Sequence, residues 1–255
     1  MNNASPIGVF DSGVGGLSVL GCLRRELPGE RFIYYGDNAN APYGTKPPEQ
    51  VLDCACRVTE KLVARGIKAM VIACNTATAV AAAQLRAMYP FPIVAMEPAL
   101  KPASLMRHGG KVLVLATPNT LRLPKFAALM ERYGEQAVPL PCPGLMELVE
   151  AERFDEAVGY VTGLVAQQKQ DTVDALVLGC THYVFLRPAL RRALPEHVAL
   201  VDGNEGTARQ LHRVMLEGEM LAPPSQRGEA ELMTSGDAAE LLPLMRRMLK
   251  RAEDL

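Results

Sequence analysis

Two short motifs carry the residue types best suited to acid–base chemistry. Cys74-Asn75-Thr76 follows the apolar run 70–73, and Cys180-Thr181-His182 follows the apolar run 175–178. We expect each cysteine to lie at the carboxyl end of a buried strand and at the start of a helix. Open α/β sheets bind ligands just beyond such strand ends, and a helix N-terminus favours thiolate over thiol. The following polar groups can hold a carboxylate.

The alternative for either cysteine alone is a small buried hydrophobic residue, since free cysteine is among the most buried residue types. A shift of 106 positions, however, brings Cys74 onto Cys180 and lays several apolar runs of the first half onto the second. Paired occurrence at equivalent positions, each followed by polar residues, favours two functional thiols. The other cysteines are interpreted as structural: Cys22, Cys54, Cys56 and Cys142.

A glycine-rich turn follows the first apolar run and contains Asp11-Ser12 before Gly13, Gly15 and Gly16. A dinucleotide fingerprint would need a further glycine at position 18, where the chain has Ser18. A carboxylate and a hydroxyl here suit a substrate ammonium group, or a partner that accepts a proton from a thiol. The structural alternative is a tight turn in which Asp11 caps a helix.

Two further segments are less distinctive by themselves. The loop 37–44 ends in Pro42-Tyr43-Gly44, a tight turn that can present backbone N–H groups, although such polar loops are common. Glu150 follows an apolar pattern and is typical of a solvated helix residue. The four histidines and the cysteine spacings do not match a zinc site, so we expect no metal.

Short apolar runs alternate with amphipathic segments along the chain, which predicts an α/β fold with largely parallel, buried strands. Together with the 106-residue repeat, this pattern predicts two similar α/β domains. We place the first at 1–97 plus 207–255 and the second at 98–206, with the C-terminal tail packing back onto the first. The predicted strands are 7–10, 32–35, 70–73, 93–95, 112–116, 137–140, 175–178 and 198–201, with a further short run at 231–234.

The bulk composition excludes several classes of function. The 255 residues carry a formal net charge of −1, without the positive surface that a nucleic-acid partner requires. No run approaches the roughly 20 apolar residues of a membrane span, and the polar N-terminus does not resemble a secretion signal. We therefore expect a cytoplasmic protein that binds neither nucleic acid nor membrane, with its cysteines as thiols.

Taken together, the motifs resemble the glutamate racemase family, within the aspartate/glutamate racemase superfamily. The resemblance runs from about residue 6 to the end and rests on separated segments in the right order. They are 10–16, 35–37 with 42–44, 73–76, 178–183, 201–202 and 234–237.

The resemblance implies two pseudosymmetric α/β domains with largely parallel sheets and an active site in the cleft between them. It implies an isomerase that interconverts L- and D-glutamate without a cofactor, supplies D-glutamate for peptidoglycan, and forms a homodimer. Aspartate racemase shares the two-cysteine plan, but there the second cysteine motif ends in glutamate. This chain has His182 at that place, which favours glutamate as substrate.

Carried over residue by residue, the resemblance makes Cys74 and Cys180 the two bases, one on each face of the substrate. Asp11, His182 and Glu150 would assist proton transfer to and from the thiols. The implied substrate-binding residues are Asp11, Ser12, Tyr43, Gly44, Asn75, Thr76, Thr181 and His182.

Two other functions are alternatives to this one. A thiol hydrolase or transferase could use Cys180 as nucleophile and His182 as base, but the i, i+2 spacing makes a direct contact awkward and leaves Cys74 unexplained. A periplasmic-type amino-acid receptor would need a secretion signal and would not need paired cysteines.

Overall fold

The computed structural model describes residues 3–106, 108–168 and 172–255. By its internal contacts the chain separates into two compact units. Unit 1 comprises Met1–Met96 with Asn204–Asp254, and unit 2 comprises Glu97–Gly203. Each unit is built on one all-parallel sheet, which confirms the predicted α/β class.

The sheet of unit 1 has five strands in its described residues, in the order β4-β3-β1-β2-β9. Strands β1, β2 and β3 are buried throughout, because helices cover a parallel sheet from either side, whereas the edge strand β9 is partly exposed. The strands are β1 (Ile7–Asp11), β2 (Phe32–Gly36), β3 (Ala69–Ile72), β4 (Ile93–Ala95) and β9 (Ala230–Thr234).

The helices of unit 1 come from both parts of its chain. They are α1 (Leu17–Glu26), α2 (Pro48–Ala64), α3 (Asn75–Met88), α10 (Asn204–Glu217) and α11 (Ala238–Glu253). Helix α1 packs against α10 and α11, whereas α2 packs against α3. Gly21 of α1 is required by this packing, because a Cβ there would lie 2.8 Å from the backbone oxygen of Ala252.

A fully buried ion pair in the early part of unit 1 is hydrogen-bonded to the late part of the same unit. Lys68 Nζ lies 2.7 Å from Glu30 Oε2, and both side chains are almost inaccessible to solvent. The same ammonium donates to the backbone oxygens of Asn3 and Met220, and Glu30 accepts from the backbone N–H of Ala222. These hydrogen bonds offset the cost of burying the two charges.

The sheet of unit 2 has the order β6-β5-β7-β8 in its described residues. Its strands are β5 (Lys111–Ala116), β6 (Ala137–Pro141), β7 (Val173–Leu178) and β8 (Ala199–Val201). The α-helices are α4 (Leu100–Leu105), α5 (Pro118–Arg122), α6 (Pro124–Tyr133), α7 (Leu145–Glu150), α8 (Phe154–Gln167) and α9 (Arg187–Ala193).

The two sheets share one strand order. Read from the opposite edge, unit 2 runs β8-β7-β5-β6, which matches β4-β3-β1-β2 of unit 1 strand for strand. Cys74 follows β3 and Cys180 follows β7, so the two thiols occupy equivalent places in the two sheets. The position equivalent to Asp11 is Thr117, whose hydroxyl caps α5 by accepting from the N–H of Thr120.

The segment after Cys180 differs from the prediction. It forms a 3-10 helix, Thr181–Leu186, instead of opening an α-helix, and α9 begins only at Arg187. Pro188 explains the difference, because it has no N–H to donate to the carbonyl of Val184 in a continuous α-helix. Within the described ranges, none of the helices is long and apolar enough to cross a membrane.

Candidate active site

Cys74 is the N-cap residue of α3 and lies two residues beyond the end of β3. Its Sγ accepts a hydrogen bond from the backbone N–H of Ala77 at 3.5 Å. The hydroxyl of Ser12 lies 3.6 Å from the same sulfur. The thiol therefore has two polar neighbours, one at a helix N-terminus and one on the turn after β1.

Asp11 is the last residue of β1 and is 1% exposed. Its Oδ1 accepts from the backbone N–H of Gly13 at 2.7 Å, which holds the carboxylate above the glycine-rich turn. The helix that follows is capped by Gly16, so Asp11 does not cap it. A Cβ at Gly16 would lie only 2.6 Å from the Asp11 Cβ, and glycine is thus required for this approach. We refer to Asp11, Ser12 and Cys74 as the Cys74 cluster.

Two contacts that hold the glycine-rich turn were not predicted from the sequence. The Tyr34 hydroxyl donates to the Gly13 carbonyl at 2.8 Å, and the N–H of Asp37 donates to the Asp11 carbonyl at 2.9 Å. Tyr34 lies on β2, and the sequence alone does not distinguish it from the other apolar residues of that strand. Its hydroxyl partner becomes evident only once β1 and β2 are paired.

The loop 37–44 is fixed from inside by Asp37. Its carboxylate accepts from the Tyr43 hydroxyl at 2.7 Å and from the Asn40 amide at 3.0 Å. The Tyr43 ring packs edge-on against Phe10 on β1. Burial, and then the neighbouring Asp37 carboxylate, raise the pKa of Tyr43, so its hydroxyl stays a donor. Gly44 lies in the 3-10 turn Tyr43–Thr45.

Asn75 and Thr76 form the first turn of α3, directly after Cys74, and both are buried. Thr181 opens the 3-10 helix after Cys180 and is also buried. The first-turn N–H groups of a helix are suited to hold an anion.

Cys180 lies in extended conformation at the end of β7, with φ −136° and ψ 141°. Its Sγ lies 3.7 Å from His182 Nδ1. The prediction that the i, i+2 spacing makes this contact awkward was wrong, because the extended residue is followed directly by a 3-10 turn. That turn swings the imidazole back toward the thiol. Gly179 is required here, since a Cβ would lie 2.5 Å from the Leu115 carbonyl.

Glu150 completes the arrangement around Cys180. It is the last residue of α7, and its Oε1 lies 2.8 Å from His182 Nε2. Burial on its own would lower the pKa of His182, but the contacts with Cys180 and Glu150 outweigh burial and raise it well above its ordinary value. Both ring nitrogens then donate, one to the sulfur and one to the carboxylate. We refer to Glu150, Cys180 and His182 as the Cys180 cluster.

Cys142 lies beside the Cys180 cluster. Burial, and then the charge of Cys180, raise the pKa of the Cys142 thiol to about 12. Its Sγ donates to the Leu140 carbonyl, and its own carbonyl accepts from the Tyr183 hydroxyl. In the sequence, the feature that could have pointed to Cys142 is its place directly after β6, since Cys74 and Cys180 also follow strand ends.

Within residues 3–106, 108–168 and 172–255, no three histidine, cysteine or acidic side chains come together in a group able to hold a metal ion. The six cysteines are all thiols and form no disulfide bond with one another. In the Cys74 cluster the Ser12 hydroxyl contacts the thiol, and the Asp11 carboxylate is on the preceding residue. In the Cys180 cluster the His182 imidazole contacts the thiol, and the Glu150 carboxylate contacts the imidazole.

Comparison with known proteins assigns this arrangement to a family. The model of the Asp/Glu/Hydantoin racemase family matches residues 7–211. The chain belongs to this family. The matched stretch includes both cysteine motifs, the glycine-rich turn and Glu150. Racemases of this family thus provide the framework for interpreting the two thiol clusters.

Glutamate racemases match the chain over nearly its full length. That of Bifidobacterium adolescentis is 46% identical over 258 residues, covering 98% of this chain and 100% of that protein. The crystal structure from Thermus thermophilus, in complex with beta-chloro-D-alanine, is 38% identical with a TM-score of 0.79, covering 97% of this chain and 94% of that one. The Escherichia coli structure, with L-glutamate and the activator UDP-MurNAc-ala, is 32% identical with a TM-score of 0.82, covering 96% and 95%.

Proposed function

We propose that this protein interconverts L- and D-glutamate by a two-base mechanism in which Cys74 and Cys180 exchange protons with the α-carbon from opposite faces. The observation that carries the proposal is the equivalent placement of the two thiols after β3 and β7. Inverting a stereocentre requires one proton to leave from one face and another to arrive on the other. A single side chain cannot easily serve both faces.

Thiols suit this task because their ordinary pKa, about 8.5, is near neutrality. In one direction a thiolate takes the α-proton while the opposite thiol delivers its own. Afterwards the protonation states of the two thiols are exchanged. For either enantiomer, the starting state must therefore have one thiolate and one thiol.

The residues around each thiol have distinct roles in this proposal. Ser12 and Asp11 serve Cys74, while His182 and Glu150 serve Cys180. Asp11 also suits the substrate ammonium, and the buried first-turn residues Asn75, Thr76 and Thr181, with the turn Tyr43–Gly44, suit its carboxylates. Hydrogen-bond donors aimed at the carboxylate stabilise the negative charge that develops as the α-proton leaves.

The reaction so written needs no cofactor, because both proton acceptors are side chains of the protein. Glutamate as substrate is supported by the named relatives and by the L-glutamate complex of the Escherichia coli enzyme. His182 at the end of the second motif favours glutamate over aspartate. We further propose that the D-glutamate serves peptidoglycan synthesis in the cytoplasm and that the protein acts as a homodimer.

The test is incubation of the purified protein with L-glutamate in D₂O without added cofactor. We expect loss of optical rotation together with loss of the α-proton signal in the NMR spectrum. The same experiment with L-aspartate should give far slower exchange. Absence of both racemisation and α-deuterium exchange with both amino acids would refute the proposal.

The contact between Cys180 and His182 also fits a thiol nucleophile with its base, so a covalent route needs its own measurement. Mass spectrometry of the protein quenched during turnover should show the unmodified chain. A substrate-derived mass adduct on Cys180 would favour the hydrolase or transferase alternative.

A further inference from the structure

The segment 234–237 is a sequence motif to which the two thiol clusters give no role. It runs from the last residue of β9 to the residue that caps α11, and we refer to it as the C-terminal turn. The cap is the Asp237 carboxylate, which accepts from the backbone N–H of Ala239 at 2.8 Å. The first two residues of the C-terminal turn contact loop 37–44, and the contact between Thr234 and Asn38 spans 196 positions of sequence.

The Thr234 hydroxyl is hydrogen-bonded on both sides. It donates to the side-chain oxygen of Asn38 at 2.9 Å and accepts from the backbone N–H of Gly236 at 3.1 Å. A hydroxyl has one hydrogen to donate and lone pairs with which to accept. The bond from Gly236 therefore leaves that hydrogen directed at the loop.

Ser235 makes a second contact with the same part of the loop. Its Oγ accepts from the backbone N–H of Ala39 at 3.0 Å, and its own N–H donates to the Gly36 carbonyl at 3.1 Å. Gly236 packs over the same two loop residues, since a Cβ there would lie 3.4 Å from the Asn38 Cβ and 3.7 Å from the Ala39 nitrogen. Three consecutive residues of the C-terminal turn thus meet the start of loop 37–44.

The contacted part of the loop is coupled to Tyr43. It is the 3-10 turn Asn38–Asn40, which directly follows Asp37. The Asp37 carboxylate accepts from the Asn40 amide at 3.0 Å and from the Tyr43 hydroxyl at 2.7 Å. The position of Tyr43 therefore depends, through Asp37, on the 3-10 turn that the C-terminal turn holds.

Tyr43 connects these contacts to the Cys74 cluster. It belongs to the same core of packed, buried residues as Cys74, and the turn Tyr43–Thr45 packs against α3, the helix that Cys74 caps. A Cβ at Gly36 would lie 2.6 Å from both Asn38 Oδ1 and the Gly13 carbonyl, so the start of the loop is closely fitted. Loop 37–44 thus contacts the C-terminal turn at its start and the helix of Cys74 at its end.

We propose that Thr234 and Ser235 are positioning residues that hold loop 37–44 in its glutamate-binding conformation. The inference rests on the function proposed above, in which the turn Tyr43–Gly44 suits a substrate carboxylate. A loop that is ordered before substrate arrives loses less conformational entropy on binding. If the loop is released, the apparent affinity falls in proportion to the fraction of molecules whose loop is still competent to bind.

The substitutions Thr234→Val and Ser235→Ala test this role. Valine keeps the shape of threonine and removes only the hydroxyl, and alanine removes the acceptor for the Ala39 N–H. We expect KM for L- and D-glutamate to rise roughly threefold to tenfold, because one neutral hydrogen bond that orders the loop is lost. The chemical step is untouched, so kcat should stay within about twofold of the wild-type value.

Three further variants show whether the effect passes through the loop. Thr234→Ser keeps the hydroxyl and should restore the wild-type KM. Thr162→Val removes a hydroxyl that donates to the Val158 carbonyl inside α8, and should change neither kcat nor KM. In Asn38→Ala, the additional change Thr234→Val should have little effect on KM, because the hydroxyl has already lost its partner on the loop. A full, additive rise in KM would overturn the proposed role.

Amide hydrogen exchange measures the loop directly and does not depend on activity. Without glutamate, the peptide that covers residues 37–44 should exchange faster in Thr234→Val than in the wild type, because local opening is more frequent. The peptide that covers β1 should exchange equally in both proteins. Unchanged exchange of residues 37–44 would overturn the proposal, since the C-terminal turn would then not hold the loop.

The kinetic outcomes separate the positioning role from the proposed function. Wild-type protein that does not racemise glutamate refutes the proposed function and the positioning role with it. If the wild type is active, unchanged KM in both Thr234→Val and Ser235→Ala overturns the positioning role alone, even where the free energy of unfolding falls. A fall of kcat at unchanged KM also overturns it, because the C-terminal turn would then act on the chemical step.

Discussion

The hydroxyl of Ser12 lies 3.6 Å from the thiol of Cys74, at a point where the turn after β1 meets the start of α3. A hydroxyl in that place can donate to the thiolate and stabilise it, or accept from the thiol. The Ser12–Cys74 contact thus connects the glycine-rich turn directly to one of the proposed bases.

Ser12→Ala should slow the direction in which Cys74 removes the α-proton by roughly tenfold, because the thiolate loses a hydrogen bond of about 1.5 to 3 kcal/mol that is partly replaced by water. The measurement is the initial rate of α-deuterium exchange with each enantiomer separately. Ser18→Ala, at a buried serine inside α1, is the control. Equal exchange rates in wild type and Ser12→Ala would contradict this role.

Cys74→Ser and Cys180→Ser should each reduce racemisation by about 10²- to 10⁴-fold, the range that a positioned acid or base contributes. Serine nearly preserves the side-chain volume, but its hydroxyl is far less acidic than a thiol. Circular dichroism of a glutamate solution follows the loss of activity. Cys56→Ser, at a half-buried cysteine on α2, should retain wild-type activity. Activity retained by either of the first two variants would remove that cysteine from the mechanism.

His182 should remain an imidazolium well above pH 6.5, because its contacts to Cys180 and Glu150 outweigh the effect of burial on its pKa. Its protonation therefore stabilises the folded state fully below about pH 6.5, and this contribution is lost as pH rises through the raised pKa of His182. Long-range ¹H–¹⁵N NMR at pH 7.5 should show both ring nitrogens protonated. Glu150→Gln should lower the pH midpoint of the His182 titration. An unshifted midpoint would show that the Glu150 carboxylate does not raise the pKa of His182.

Replacing either of two glycines of unit 2 by alanine should change the free energy of unfolding, in opposite directions for the two positions. Gly179→Ala should lower the free energy of unfolding by about 1 to 3 kcal/mol and impair activity, because its Cβ would lie 2.5 Å from the Leu115 carbonyl beside Cys180. Gly159→Ala, inside α8 with nothing within 4 Å of the new Cβ, should raise it by about 0.5 to 1 kcal/mol. Urea unfolding measures both. Equal changes in the free energy of unfolding for Gly179→Ala and Gly159→Ala would contradict the close packing around Gly179.

Replacing only one partner of the buried Lys68–Glu30 pair should greatly lower the free energy of unfolding. Lys68→Met should lower the free energy of unfolding by about 3 to 5 kcal/mol, because Glu30 is left charged and buried without its partner. The double variant Lys68→Met with Glu30→Gln should recover part of this loss. Arg31→Met, which breaks an exposed ion pair with Glu229, should cost at most about 1 kcal/mol. Similar losses of unfolding free energy in Lys68→Met and Arg31→Met would refute the prediction that the buried pair is the more costly one to break.

The fold class and the strand ends could be predicted from the sequence because continuous apolar runs indicate buried parallel strands. The run 93–95 coincides with β4, and the strand ends before Cys74 and Cys180 were correctly located within a residue. The 3-10 helix after Cys180 was missed because it depends on Pro188, seven residues after the 3-10 helix begins at Thr181. Local patterns do not show how such a turn directs the imidazole.

The contacts of Glu150 and Asp37 could not be predicted for a different reason. Each is a polar residue in an unremarkable local setting, and its partner lies elsewhere in the fold. Glu150 meets a histidine 32 positions away, and the backbone of Asp37 meets that of Asp11 through the pairing of β1 and β2. Such partners are fixed by tertiary packing, which the periodicity of a single segment does not encode.

The interrupted order of unit 1 has a consequence for synthesis on the ribosome. Strand β9 pairs with β2, and the side chains of Arg31 and Glu229 meet across 198 positions. When translation has reached Gly203, unit 2 is complete in sequence, whereas unit 1 still lacks α10, β9 and α11. A nascent chain stalled there would leave the β2 edge of unit 1 without β9, and an unpaired strand edge favours aggregation.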